Sequence, residues 1–123
     1  MIVGLGIDLM EVKKIEKDIR SNTFLRKVFT DAEVRECKSV LKSAERFAGR
    51  FAAKEAFMKA IGKGIRQEVW FAQIEVLTNE QGQPYIKVNG EAQAGLYAME
   101  VKNIQVSITH TQHYAAAVVI LEK

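Results

Sequence analysis

The sequence predicts an α+β fold, a small, mostly antiparallel sheet packed with one long helix and several short ones. Three features point there. Apolar runs rich in β-branched residues stand at both ends of the chain, "MIVGLGIDLM" and "IQVSITHTQHYAAAVVILE". Between them, residues 43–61 keep a helical pattern that stops at Gly62-Lys63-Gly64. "WFAQIEVLTNEQGQPYIKVNG" holds two strand-like runs separated by turn residues at Asn79 to Gln83. The order strand, helices, hairpin, helix, hairpin suits antiparallel pairing.

Each element has its own signal. The opening run ends at an acid and reads as a first strand. In "EVKKIEKDIR", Val12, Ile15 and Ile19 recur at helical spacing, so a short amphipathic helix follows. "TFLRKVFT" reads as a further helical turn. Thr30, with Glu33 three residues on, has the pattern of a capping box opening the helix "TDAEVRECKSVL". "EAQAGLYAMEV" reads as a short helix, and the last hairpin turns near Thr111 to His113.

The 123 residues fit one compact domain, 1–123. Apolar residues at 48% and charged residues at 27% describe a globular chain rather than a disordered one. A net charge of +3 favours an anionic partner without choosing among nucleotide, nucleic acid and acidic protein. With Cys37 alone there is no intrachain disulfide and no multi-cysteine zinc site, which suits a reducing compartment. The start lacks the basic region and cleavage site of a signal peptide. The longest apolar run, Tyr114 to Leu121, is far short of the ~20 residues of a spanning helix. The expectation is a cytoplasmic protein with no membrane partner.

On the long helix, Phe47, Met58 and Phe51 fall within about 40° of one another, and Ala48 and Ala52 extend that arc. Glu55 lies inside this apolar face. A second stripe, Gly49, Ala53, Ala56 and Ala60, is made only of small residues and predicts close approach of another backbone. Arg46, Arg50 and Lys54 form a third. A carboxylate on a packed face is costly without a partner. Glu55 either pairs with Lys59 one turn later or faces a metal or substrate.

The first strand offers a second acid. Ile2, Gly4, Gly6 and Asp8 share one face, while Val3, Leu5, Ile7 and Leu9 share the other, which reads as the core face. Two glycines weaken a strand unless something approaches closely. Asp8 either caps the following helix or joins Glu55 as a Mg²⁺ ligand. Mg²⁺ typically takes one or two carboxylates, with waters and substrate phosphates completing its shell. Such a pair suits phosphoryl or diphosphate chemistry. Gly62-Lys63-Gly64 is either an ordinary helix stop or a phosphate cradle. His110, in phase with Val106 and Ile108, is either a satisfied core residue or a ligand contact, and His113 falls in the turn. Lys13, Lys14, Lys17 and Arg20 make a basic stripe on the first helix, a solvated face or a dock for an acidic partner. No aromatic residues interleave them, which argues against single-stranded nucleic acid.

Together, "GLGIDLMEVKKI", "FAGRFAAKEAFMKAIGKGI" and "VSITHTQHYAAAVVIL", in this order, make the chain resemble the holo-[acyl-carrier-protein] synthases, the short bacterial 4′-phosphopantetheinyl transferases. The resemblance covers essentially the whole chain. It implies Mg²⁺-dependent transfer of the 4′-phosphopantetheine arm of coenzyme A to a serine of apo acyl carrier protein, releasing adenosine 3′,5′-bisphosphate in support of fatty acid biosynthesis. It also implies a homotrimer with active sites between subunits. The family's metal-binding acids fall on Asp8 and Glu55, and its phosphate-associated lysine falls on Lys59. Arg50, Gly62, His110 and Thr111 fall on positions lining the nucleotide site. Lys13, Lys14, Lys17 and Arg20 fall on the helix that docks the carrier, with lysines at 13 and 14 where some relatives have arginine. Two other readings of the residues stay open: a Mg²⁺ enzyme acting on a different diphosphate, which has no use for the basic helix, and a small RNA-binding domain, which leaves Glu55 unexplained.

Overall fold

The structure, a computed structural model, describes residues 1–62 and 68–123. Strand β1 (Ile2–Glu11) leads into helices α1 (Val12–Asp18), α2 (Asn22–Val28), α3 (Asp31–Lys38) and the long α4 (Ser43–Ile61). A 3-10 helix over Glu68–Gln73 precedes the hairpin of β2 (Ile74–Thr78) and β3 (Pro84–Val88). Helix α5 (Gly90–Ala98) and the hairpin of β4 (Asn103–His110) and β5 (Tyr114–Glu122) complete the chain. The α+β architecture is as the sequence predicts, but the strands form two antiparallel sheets: β1-β5-β4 and β2-β3. The segment "WFAQ", read as the start of a strand, belongs instead to the 3-10 helix.

Local chemistry explains the boundaries. Thr30 caps α3 through a complete capping box: its hydroxyl accepts the Glu33 N–H, and the Glu33 carboxylate accepts the Thr30 N–H at 2.9 Å. Asp8 caps nothing, because β1 runs on to Glu11, which precedes α1. Gly62 ends α4 at φ 77°, a left-handed cap that glycine takes without strain. The hairpin turn at 79–83 is built by Asn79, whose side-chain oxygen accepts the N–H groups of Gln81 and Gln83. The last turn is built by Thr111, whose hydroxyl accepts the N–H groups of His113 and Tyr114.

Helix α4 lies diagonally across one face of the three-stranded sheet, and its small-residue stripe makes that possible. A Cβ at Gly4 would collide with the Ala60 carbonyl, and one at Gly6 with the Ala56 carbonyl. Nearer the start of α4, a Cβ at Gly49 would lie 2.8 Å from the Ile108 side chain. The helix thus passes from above β4 at its start to above β1 at its end. Register places Gly6 opposite Val119, Asp8 opposite Ala117 and His110 opposite Ala115, all on the helix-facing side. That side is the core face. The expectation that Val3, Leu5, Ile7 and Leu9 face the core is overturned at three of the four: Leu5, Ile7 and Leu9 are 64–66% exposed on the sheet's uncovered side, while Val3, at the register shift between Ile2 and Gly4, is partly buried against the core. Alternation separates two faces but does not say which one a helix covers. Here close backbone packing selects the glycine face.

Most of the circumference of α4 is buried, including the arc of Phe47, Ala48, Phe51, Ala52 and Met58. Phe51 stacks between Phe24 and Phe71 at centroid distances of 5.9 and 5.5 Å. Lys54 is wholly buried, and its ammonium donates to the Glu33 carboxylate at 2.8 Å and to the carbonyls of Phe71 and Ile74 at 2.7 and 2.6 Å. Glu33 also accepts the Val76 N–H at 2.9 Å. This network ties α3, α4, the 3-10 helix and β2 together. Burial pushes the Lys54 pKa down, and the Glu33 carboxylate opposes that shift.

Candidate active site

Two groups of polar side chains occupy opposite ends of α4. Toward its C-terminus, the descent of the helix onto Gly4 and Gly6 brings Glu55 beside Asp8. Lys59 donates to an Asp8 carboxylate oxygen at 3.1 Å and to the Ile7 carbonyl at 3.0 Å. The ion pair that the sequence left open as Glu55–Lys59 is therefore made by Lys59 with Asp8. The other Asp8 oxygen is buried and has no hydrogen-bond partner among the described residues. Burial raises the pKa of Glu55, the Asp8 carboxylate raises it further, and Lys59 and Lys14 pull it back.

This donor set fits a hard cation. Two carboxylates stand together, one with an unsatisfied buried oxygen, and their charge repulsion is only partly offset by Lys59. Among the described residues no group of three or more His, Cys, Asp and Glu could hold a metal. Closed all-protein sites of that kind are therefore not seen there. The pair matches the sparser habit of Mg²⁺, which leaves coordination positions for water and substrate phosphate.

Near the N-terminus of α4, a cleft of about 180 Å³ is lined by Glu45, Arg46, Gly49, Arg50, Thr78, Gly82, Pro84, Ile108 and His110. The distance along the helix from Glu45 to Glu55 is about 15 Å at 1.5 Å per residue. Arg50 and His110 are brought together in this cleft, and Arg50 is also a tie within the fold. Its Nε donates to the Val76 carbonyl at 3.1 Å, and its Nη2 to the Thr78 hydroxyl at 3.0 Å and to Glu36 at 3.4 Å. His110 is held by Glu45 through Nδ1 at 2.9 Å.

Thr111 is not brought into this cleft; its hydroxyl is engaged in the β4–β5 turn. Gly62 is exposed at the end of α4, and Lys63 and Gly64 lie outside the described residues. Lys13, Lys14, Lys17 and Arg20 are all exposed, with Lys14 paired to Asp18 at 3.0 Å. Sequence reasoning missed Glu45, Thr78 and Pro84. Glu45 sits in the first turn of a helix, where an acid is ordinary because it complements the helix dipole, and that concealed its partner. Pro84, the sole proline, follows directly on a recognised turn and marked the strand start, not a cleft wall.

Solved structures of known proteins share this fold. The family profile of the 4′-phosphopantetheinyl transferase superfamily matches residues 4–119. A holo-[acyl-carrier-protein] synthase of Koribacter versatilis is 43% identical over 99% of both chains. The crystal structure of holo-[acyl-carrier-protein] synthase from Neisseria meningitidis superposes with a TM-score of 0.89 at 30% identity, covering 100% of each chain. That of a Bacillus anthracis holo-(acyl-carrier-protein) synthase in complex with CoA (3′,5′-ADP) gives 0.80 at 37% identity, covering 98% of this chain and 96% of its own. By sequence over nearly its whole length and by fold, the chain belongs to the 4′-phosphopantetheinyl transferase superfamily.

Proposed function

We propose that the chain is a holo-[acyl-carrier-protein] synthase: it transfers the 4′-phosphopantetheine arm of coenzyme A to a serine of apo acyl carrier protein, with Mg²⁺, and releases adenosine 3′,5′-bisphosphate. The observation that carries this reading is the Asp8 carboxylate, with one oxygen held by Lys59 and the other buried without a partner beside Glu55. The names of the relatives, and the CoA in the Bacillus anthracis complex, supply the substrate class.

Asp8 and Glu55 hold the metal, which when bound offsets charge on the coenzyme A diphosphate. Lys59, half exposed and anchored on Asp8, adds a second positive charge for the phosphates. The serine oxygen bonds to the β-phosphorus as the bond from that phosphorus to the bridging oxygen breaks, and the nucleotide leaves with its α-phosphate. The serine proton has two acceptors open to it, the Glu55 carboxylate and a water near Asp8. The cleft at the other end of α4 takes the nucleotide through Arg46, Arg50 and His110. Of the other expected nucleotide contacts, Gly62 lies at the phosphate end, and Thr111 acts by shaping the turn that follows His110.

Two surfaces complete the reading. Exposed Lys13, Lys14, Lys17 and Arg20 dock the acidic carrier, giving on-rate and orientation. The uncovered sheet face with Leu5, Ile7 and Leu9 is where copies associate into a homotrimer, since so continuous an apolar face is rare on a monomer. The separation of cleft and carboxylate cluster along α4 supports active sites that take one part from each of two copies. No helix among the described residues is long and apolar enough to cross a membrane. The reaction belongs to fatty acid biosynthesis in the cytoplasm.

Incubation with coenzyme A, Mg²⁺ and apo acyl carrier protein is expected to add one phosphopantetheine mass to the carrier, read by mass spectrometry. No gain would sink the reading. Glu55→Gln is expected to abolish the transfer with the far-ultraviolet circular dichroism unchanged; full activity would return Glu55 to a surface role.

A further inference from the structure

Glu36 sits on α3 and does not itself line the cleft, yet it holds two residues that do. One of its carboxylate oxygens accepts both the Thr78 N–H at 3.1 Å and an Nη2 hydrogen of Arg50 at 3.4 Å. The Glu36 side chain is 34% exposed and that of Arg50 is 7% exposed. This pair repeats, one turn along α3 and α4, the arrangement of Glu33 with Lys54. Glu33 and Glu36 take the N–H groups of Val76 and Thr78, while Lys54 and Arg50 take the carbonyls of Ile74 and Val76. Four side chains thus stand where a neighbouring strand would, along the outer edge of β2. The Glu33–Lys54 half is closed, because every ammonium N–H is used. The other half is open. Nε and Nη2 of Arg50 are engaged on Val76, Thr78 and Glu36, whereas Nη1 has no acceptor among the described residues and is not enclosed by protein.

We infer that Glu36 is a positioning residue: from a single oxygen it holds the Arg50 guanidinium and the end of β2, so that Nη1 of Arg50 is presented to a phosphate group of the coenzyme A nucleotide. A guanidinium is planar, so fixing Nε and Nη2 fixes the direction of Nη1. Thr78 ends β2, and Gly82 and Pro84, in and after the turn that follows, line the cleft with Arg50. The same carboxylate therefore sets the spacing between this cation and the hairpin turn. Its charge alone works the other way, because a carboxylate 3.4 Å from the guanidinium weakens the pull on an anion. Position and charge thus differ in sign, and substitution tells them apart. The inference rests on the coenzyme A reading given above, and its test separates the two.

Glu36→Ala removes both the contacts and the charge, whereas Glu36→Gln removes the charge and keeps an oxygen that accepts the same two hydrogens. Calorimetric titration with adenosine 3′,5′-bisphosphate is expected to show binding about fivefold weaker in Glu36→Ala, the size of one hydrogen bond of ordinary net strength. Glu36→Gln is expected to bind at least as tightly as the unsubstituted chain. In steady-state transfer, Glu36→Ala is expected to raise the KM for coenzyme A by the same factor with kcat unchanged. Amide exchange followed by nuclear magnetic resonance is expected to show the Thr78 N–H protected in the unsubstituted chain and in Glu36→Gln, and unprotected in Glu36→Ala. Undiminished binding in Glu36→Ala, or binding in Glu36→Gln as weak as in Glu36→Ala, overturns the positioning role, as does a fall in kcat at constant KM. If no form binds the bisphosphate or uses coenzyme A while Thr78 protection follows the expected pattern, the coenzyme A reading falls and only the hold of Glu36 on the hairpin stands.

Discussion

Lys54 and Glu55 are neighbours on one helix, and their surroundings are opposites. Lys54 is wholly buried, and all three of its N–H groups are used, on Glu33, Phe71 and Ile74. Glu55 stands half-buried beside a second carboxylate, one of whose oxygens is buried with no partner among the described residues. One is a closed network, complete within the chain. The other pairs two carboxylates with one anchored lysine, Lys59, and under the proposed function a ligand completes it. A buried charge alone does not mark a site; a buried charge whose partners do not add up does.

The contrast breaks most visibly at Lys54. Lys54→Met removes one partner of a buried pair and leaves the Glu33 carboxylate without its counter-charge, so a loss of about 3–5 kcal/mol in urea unfolding is expected. Asp8→Asn, at the open site, gives up only a half-exposed contact with Lys59 and relieves repulsion with Glu55. Its stability is expected to stay within about 1 kcal/mol of the unsubstituted chain. Equal losses for the two variants would mean that the Asp8 cluster is as structural as the Lys54 network.

A smaller effect is expected where the helix meets β1. Gly6→Ala drives a Cβ into the Ala56 carbonyl and within 2.8 Å of the Ala60 nitrogen, backbone atoms that cannot step aside. Overpacking of this kind costs about 1–3 kcal/mol, and the helix shift carries Glu55 away from Asp8, so Mg²⁺ affinity measured by calorimetry is expected to fall as well. Gly49→Ala meets only the end of the Ile108 side chain, which can rotate, and is expected to be milder on both readouts. Unchanged Mg²⁺ affinity in Gly6→Ala would separate the close packing from the site.

These packed glycines also show what a sequence can and cannot disclose. The small stripe on α4 and the bare positions Gly4 and Gly6 were each legible as a place of close approach, because only small residues permit it, but that they meet each other is seen only in the structure. The capping box at Thr30 and Glu33 was legible because its partners are three residues apart. Asp8 and Glu55 stood out because each broke a pattern, an acid at the end of a strand and an acid on an apolar helical face. The second job of Glu33, neutralising Lys54 from 21 residues away, left no local trace. Neither did the pairing of Glu45 with His110, separated by 65 residues. The core face of β1 was misjudged because hydrophobicity favoured Leu5, Ile7 and Leu9, whereas backbone packing favoured the glycines. The apolar face left over is consistent with covering by another copy.

The smallest expected effect follows from the protonation of Glu55 and sharpens the contrast most directly. Its pKa is raised above the ordinary 4.5 by burial first and by Asp8 second. Between that ordinary value and the raised one, the folded chain binds more protons at this position than the unfolded chain does. Stability therefore falls as pH rises through that window, by the linkage between proton binding and unfolding. Glu55→Gln has no such proton to lose. Its melting temperature is expected to hold up better than that of the unsubstituted chain as pH rises from about 4.5 toward neutrality in metal-free buffer. Mg²⁺ is expected to return the lost stability to the unsubstituted chain, more at neutral pH than at the acid end, because the cation takes the ionised carboxylate. The Gln variant is expected to gain much less. Parallel melting curves across pH, with equal Mg²⁺ shifts in both proteins, would place Glu55 in the same class as Lys54, a charge whose partners already add up.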